Sequence, residues 1–292
     1  MKKKNYKVRK NILTGIMLIC LGVMAFSGFK LISTALEYKR GRDEYARLRQ
    51  YTTAVEDTEE TEAEATPTPT PTPKPEKTEI VMADDKPVEV EEEPEKSPNP
   101  YSSKKPPIAV DWAALKAINP DIVGWLYIGV LDISYPVVQG PDDDKYLHTT
   151  FEGQNNMSGT IFVEAANSAD LGDPNTILYG HNMKDGSMFG KLHKLLEEKK
   201  CEEDPYFWIL TPEGNYHYRM FNLSRTALDS NVYTLFNGTN TDFVLWCIEM
   251  LCNSEVRIKE EIFLKDSRIA TLSTCTTDTG KRFVVQGVAL EE

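Results

Sequence analysis

Apolar and polar positions follow three regimes along the 292 residues. From Ile12 to Phe29 the chain reads ILTGIMLICLGVMAFSGF, with no charge. At about 1.5 Å per residue, a helix of that run covers roughly 27 Å, close to the thickness of a bilayer core. Lys30 can snorkel, and LISTAL carries the helix on to Leu36. The run exceeds the apolar region of a cleaved signal peptide and ends in no A-x-A site, so an uncleaved anchor over residues 11–36 is predicted. Residues 1–10 carry six positive charges and no negative one, which predicts a cytoplasmic tail and an outward C-terminal bulk, although basic residues between 39 and 49 soften the asymmetry. The mixed stretch EYKRGRDEYARLRQY, residues 37–51, is expected to be a solvated extension of the anchor.

The second regime has no apolar periodicity. Residues 56–96 hold fifteen acidic and four basic residues, and eleven of the seventeen prolines lie between Pro67 and Pro107, including TPTPTPTPKP. Such a segment cannot bury enough apolar surface to offset its ordering entropy, so residues 37–104 are expected to be a juxtamembrane segment followed by a disordered, extended spacer. In polyproline II form the Thr-Pro repeat alone would reach about 30 Å, enough to lift a domain off a membrane.

The third regime, residues 105–292, has the size of one globular domain. DWAALKAIN begins with a capping Asp111, places Trp112, Leu115 and Ile118 on one face and breaks at Pro120, predicting a short helix. GWLYIGVLDISYPVV, SGTIFVE, NTILYGH, YFWILTPEGNYHYRMFNL, SRIATLSTC and KRFVVQGVAL are short, β-branched or aromatic, and bounded by turn residues, so they read as strands. PEGN, residues 212–215, predicts a hairpin turn. GSMFGKLHKLLEEKK and TDFVLWCIEMLCN predict two interrupting helices. Seven or eight short strands with a few helices describe a mainly β fold, a closed or nearly closed barrel with peripheral α-helices.

The net charge of −12 is offset by no basic stripe in the domain, which disfavours a nucleic-acid partner. No glycine-rich phosphate loop and no Cys/His metal spacing occurs, so neither cofactor nor metal is expected. The five cysteines form no disulfide framework. Cys247 and Cys252, about 140° apart on a helix, read as core residues, and Cys201 as a surface bystander. Cys275 differs: it ends TLSTC, and Arg282 opens the next strand after TTDTG, so a hairpin would make them neighbours. A guanidinium there could stabilise a thiolate or an oxyanion; the alternative is a structural cysteine in an ordinary hairpin. Of four histidines, His181 is the best proton carrier, because it follows the strand TILYG on a loop. His148, His193 and His217 read as packing, helix-surface and strand residues.

Together TLSTC, Arg282 and the upstream LYGHN resemble the sortase family of cysteine transpeptidases. NPDIVGWLYI, ISYPVVQG, KYLHTTFEG, SGTIFVE and GHNMKDGSMFGKL, with the helix at residues 241–253, are similar to its class B branch. The resemblance covers about Ile108 to Leu290 and implies an eight-stranded barrel. It implies Cys275 as nucleophile, His181 as general acid and base, and Arg282 as the group that orients substrate and stabilises the oxyanion, with Ser273 and Tyr233 as substrate contacts. The implied partners are secreted proteins bearing a C-terminal sorting motif, and an amine of peptidoglycan or of a pilin as acceptor. The implied location is the outer face of the plasma membrane. The turn between Cys275 and Arg282 is shorter than the family pattern, and Thr276 stands where an acidic residue is common. A purely hydrolytic cysteine peptidase and a non-catalytic, membrane-tethered binding module are the alternative readings.

Overall fold

A computed structural model describes residues 2–55, 105–256, 263, 266–275 and 280–290. The expected spacer, residues 56–104, and Thr276 lie outside them. In chain order the elements are α1 (Lys2–Leu48), β1 (Thr52–Ala54), β2 (Ile108–Val110), α2 (Trp112–Ile118), β3 (Ile122–Ile128), β4 (Ile133–Val138), β5 (Ile161–Val163) and β6 (Asn175–Tyr179). There follow α3 (Lys194–Glu197), α4 (Lys200–Glu203), β7 (Tyr206–Leu210), β8 (Asn215–Ala227), α5 (Thr241–Cys252), β9 (Ile269–Cys275) and β10 (Lys281–Ala289).

Strands β3 to β10 close into an eight-stranded barrel in the order β10-β8-β7-β3-β4-β5-β6-β9. Most pairs are antiparallel, which short turns can connect. The β4–β5 and β6–β9 pairs are parallel, and each spans a long excursion of chain. The predicted hairpin turn is present, with Leu210 opposite Asn215. The run GWLYIGVLDISYPVV divides into β3 and β4 at a one-turn helix, Gly129–Leu131, because Asp132 adopts the left-handed region at φ 49°.

Strands β8, β9 and β10 alternate between two cores, while the other barrel strands feed only the main one. Trp125, Leu126, Leu178, Phe207, Tyr218, Leu272 and Val285 belong to the main core. Phe221, Ile269, Val284 and Val288 point the other way and meet Phe243, Trp246, Cys247 and Met250 of α5. That spacing of i, i+3, i+4 and i+7 is one helical face, and Asn240 caps it by accepting a hydrogen bond from the Phe243 N–H at 3.0 Å. Asp111 caps α2 in the same way through the Ala114 N–H.

Four expectations need correction. Residues 186–200 do not form one helix; they make turns and two single-turn helices, α3 and α4, because Met188 and Lys199 hold left-handed φ values of 50° and 54° that a helix cannot contain. Cys201 is buried in the main core, where desolvation pushes its thiol up to about 11. Cys252 is exposed while Cys247 is buried, since only one side of α5 meets the barrel.

The fourth concerns the stretch after the anchor. Tyr45 and Leu48 are buried against the barrel, Arg49 pairs with Asp132 at 2.7 Å, and β1 pairs antiparallel with β2, Thr52 opposite Val110 and Ala54 opposite Ile108. The Val55 N–H reaches the Pro107 carbonyl at 3.0 Å. The chain therefore joins the domain before residue 56 and rejoins it at the same place, so residues 56–104 do not separate the helix from the barrel. Leu13 to Leu36 of α1 remain largely exposed, and this helix is long and apolar enough to cross a membrane.

Candidate active site

Strands β6, β9 and β10 lie side by side, and their register assembles the site. Cys275 is the Cα partner of Arg282 across the antiparallel β9–β10 pair, at a spacing of about 4.5–5.5 Å. On the other flank β6 runs parallel to β9, with Tyr179 opposite Ser273. The ladder continues one residue further through the Gly180 N–H to the Ser273 carbonyl at 3.2 Å. Two residues past Tyr179, His181 therefore comes level with Cys275. Three residues distant in sequence thus share one end of three adjacent strands, with Cys275 in the middle.

His181 is half-buried and fixed from several sides. Its backbone carbonyl accepts from the Met183 and Phe189 N–H groups, closing residues 181–190 into a compact loop. Glycine is required at position 180, because a Cβ there would sit 2.7 Å from the ring of buried Phe189. The imidazole Nε2 donates to the Leu147 carbonyl at 2.7 Å, which leaves Nδ1 unprotonated in the neutral ring. His148 stacks on the ring, with centroids 5.7 Å apart and an interplanar angle of 16°. Burial holds the His181 pKa below its ordinary value; the Leu147 carbonyl opposes this shift and the charge of His148 adds to it.

Arg282 is half-buried at the start of β10, between Cys275 on β9 and Thr226 on β8. Its Nη1 donates to the Lys281 carbonyl at 3.4 Å, a long bond that a better acceptor could replace. Ser273 and Tyr233 are brought into direct contact, Tyr233 Oη to Ser273 Oγ at 2.9 Å, with Ser273 buried beneath the tyrosine. The Tyr233 ring also stacks on Tyr179 at 6.4 Å. His193 faces Glu197 one helical turn on, at 3.8 Å, and His217 is sandwiched between Trp208 and Tyr206, so neither joins the site.

Two groups beside the site were not anticipated. His148 was read as a packing residue, and its place against His181 depends on the way residues 146–160 fold back. The second is a buried chain of polar side chains across the strands. Asn222 Nδ2 donates to Gln286 Oε1 at 2.8 Å, Gln286 Nε2 to Thr271 Oγ1 at 2.9 Å, and Thr271 Oγ1 to Asn175 Oδ1 at 2.7 Å. Asn175 Nδ2 then reaches the carbonyls of Val232 and Thr234 at 3.2 and 3.0 Å, gripping the segment that carries Tyr233. The signal in the sequence was polar residues at single positions of otherwise apolar strands.

The arrangement suits acyl transfer: a thiol, an imidazole with a free acceptor nitrogen, and a permanent cation sit at adjacent positions. Among the described residues no cluster of three or more metal-ligating side chains occurs. Residues 126–290 match the sortase domain family. The chain is 36% identical over 176 residues to sortase B of Listeria monocytogenes, an alignment covering 59% of this chain and 71% of that protein. It is 25% identical over 279 residues to sortase B of Staphylococcus aureus, covering 94% and 96%. The solved structure of a Staphylococcus aureus sortase B–substrate complex superposes with a TM-score of 0.57 at 30% identity, over 61% of this chain and 84% of that one.

Proposed function

The chain belongs to the sortase family, in its class B branch, and from that premise we propose that it is a membrane-anchored transpeptidase working through a thioester on Cys275. In this reading the neutral His181 takes the thiol proton on Nδ1. The thiolate attacks the carbonyl of a sorting motif near the C-terminus of a secreted protein, and Arg282 stabilises the oxyanion. Breakdown of the tetrahedral intermediate expels the amine with the proton from His181 and leaves a thioester. An acceptor amine then attacks the thioester, gives up its proton to the neutral His181, forms a new amide and releases the thiolate. Substrate and acceptor belong to the cell surface: a sorting-motif protein on one side and a peptidoglycan amine on the other, with a pilin amine as the alternative acceptor. The apolar helix α1 would hold the barrel at the outer face of the plasma membrane. Tyr233 and Ser273 would line the wall of the peptide groove.

One observation carries the reading: Cys275 pairs with Arg282 across β9 and β10, and His181 follows two residues after the end of β6, whose Tyr179 lies opposite Ser273. A solved sortase B–substrate complex among the similar structures is consistent with this reading of a bound substrate. The test uses the full chain in detergent micelles with a panel of quenched sorting-motif peptides, with and without a soluble amine. The proposal expects cleavage of at least one peptide and an amide product when amine is present. Hydrolysis alone, unchanged by amine, would support the peptidase reading. No turnover of any peptide would support the non-catalytic one.

A further inference from the structure

The last three turns of α1 are an unusual part of this molecule, because one continuous helix carries both the apolar span and a set of contacts around His181. Most of those contacts fall on the segment 146–160. The Glu37 carbonyl accepts from Asn156 Nδ2 at 2.9 Å, and its Oε1 accepts from the Met157 N–H at 2.8 Å. Glu44 Oε1 accepts from the Glu152 N–H at 2.9 Å. The buried Tyr45 hydroxyl donates to the Gly159 carbonyl and lies 3.2 Å from Thr160 Oγ1. The helix also approaches closely, since a Cβ at Gly41 would meet Ser158 Oγ at 2.8 Å.

The gripped segment folds back on itself before it reaches the histidine. The Asn156 N–H bonds the His148 carbonyl at 2.9 Å, and the Thr160 N–H bonds the Tyr146 carbonyl at 3.0 Å. Between those two anchors lie Leu147, whose carbonyl receives His181 Nε2, and His148, which stacks on the ring. A second route touches the loop of His181 itself. Arg42 lies 3.7 Å from Asp185, and Tyr45 packs edge-on against Tyr135, whose hydroxyl accepts from the Met188 N–H at 3.1 Å.

We propose that residues 37–48 of α1 act as a positioning element for His181, holding the Leu147 carbonyl on Nε2 so that the ring keeps the tautomer with Nδ1 free. This rests on the catalytic role proposed for His181. The helix that enters the membrane thereby sets the geometry of the proton carrier, and residues 105–292 alone lack part of the site.

The test uses the full chain in detergent micelles. Tyr45→Phe keeps the ring on Tyr135 and removes the two hydroxyl bonds; Arg42→Gln, a milder surface change, loosens only the Asp185 contact. Cys201→Ser is the control, a buried polar substitution in the main core that touches neither route. Turnover of the best sorting-motif peptide is measured together with the ¹⁵N shifts of the His181 ring, assigned with His181→Gln. Misplacing a catalytic group by about 1 Å can cost on the order of 100-fold. Tyr45→Phe is therefore expected to lower kcat by at least about tenfold with KM little changed, and to move the ring signals from the single Nε2–H pattern toward a tautomer mixture. Arg42→Gln should move both in the same direction by less, and Cys201→Ser should lower thermal stability while moving neither. Wild-type kcat and unaltered ring signals in Tyr45→Phe would overturn the proposal. The ring signals need no turnover, so a wild-type chain that cleaves nothing would defeat the catalytic reading while still testing the positioning one.

Discussion

At the residue scale the site depends on protonation and on the shape of one cation. Arg282 presents a planar, permanently charged fork that lysine cannot reproduce, and it stands half-buried at the start of β10, outside the two hydrophobic cores. Arg282→Lys is expected to lose at least about tenfold in kcat/KM while keeping the wild-type circular dichroism spectrum; undiminished turnover would remove the arginine from the mechanism. His148→Phe keeps the stack and deletes a neighbouring positive charge, so the His181 titration seen by NMR should move upward, toward its ordinary value. The sign also bears on stability. The folded His181 pKa lies below 6.5, so the unfolded chain binds the proton first and stability is lost as pH falls through that region, less steeply in His148→Phe. The strand-end positions of Cys275, His181 and Arg282 were legible because each sits in a short local motif. His148 was not, because its contact arises from a loop folding back; Cys201 was not, because a periodicity cannot say which side of a short turn meets the core.

At the element scale the strands and α5 were legible from alternation and from one clean helical face. The run 186–200 was not, since its apolar residues satisfy a helical pattern while left-handed Met188 and Lys199 break the backbone. The segment carrying Tyr233 is a short one-turn helix, Asn231–Tyr233, whose Val232 is buried against α5. It is also gripped by the Asn175 amide, the last member of the polar chain across β8, β10, β9 and β6. Asn175→Ala would leave the carbonyls of Val232 and Thr234 and the Thr271 hydroxyl short of partners, a cost of about 1–3 kcal/mol in stability. It should raise KM for the peptide more than it lowers kcat, because it loosens the groove wall and spares the strand ends. An unchanged KM in a folded variant would separate Tyr233 from the groove.

At the scale of the whole molecule, residues 37–54 dock on the barrel, continuous with the apolar helix that precedes them. The barrel class was legible from the spacing of short strands and turns. The docking of residues 37–54 was not, because EYKRGRDEYARLRQY looks solvated residue by residue and its burial comes from a few positions, Tyr45 and Leu48 among them, meeting a surface far away in sequence. The β1–β2 pair brings together the residues that flank the acidic, proline-rich stretch, Thr52–Ala54 and Ile108–Val110. Replacing residues 56–104 with a four-residue glycine-rich turn should preserve turnover in micelles. It should also stabilise the fold by about 2 kcal/mol, since a shorter closed loop loses less entropy on folding. A variant that unfolds or loses activity would show that the stretch has a structural role. The central claim, a thioester on Cys275, is tested most directly by intact mass. The full chain, incubated with a cleavable sorting-motif peptide and quenched in acid, should gain the mass of the acyl fragment at Cys275. The adduct should be released by hydroxylamine and absent from Cys275→Ala; no acyl adduct on the wild-type chain, or one that persists in Cys275→Ala, would contradict the account.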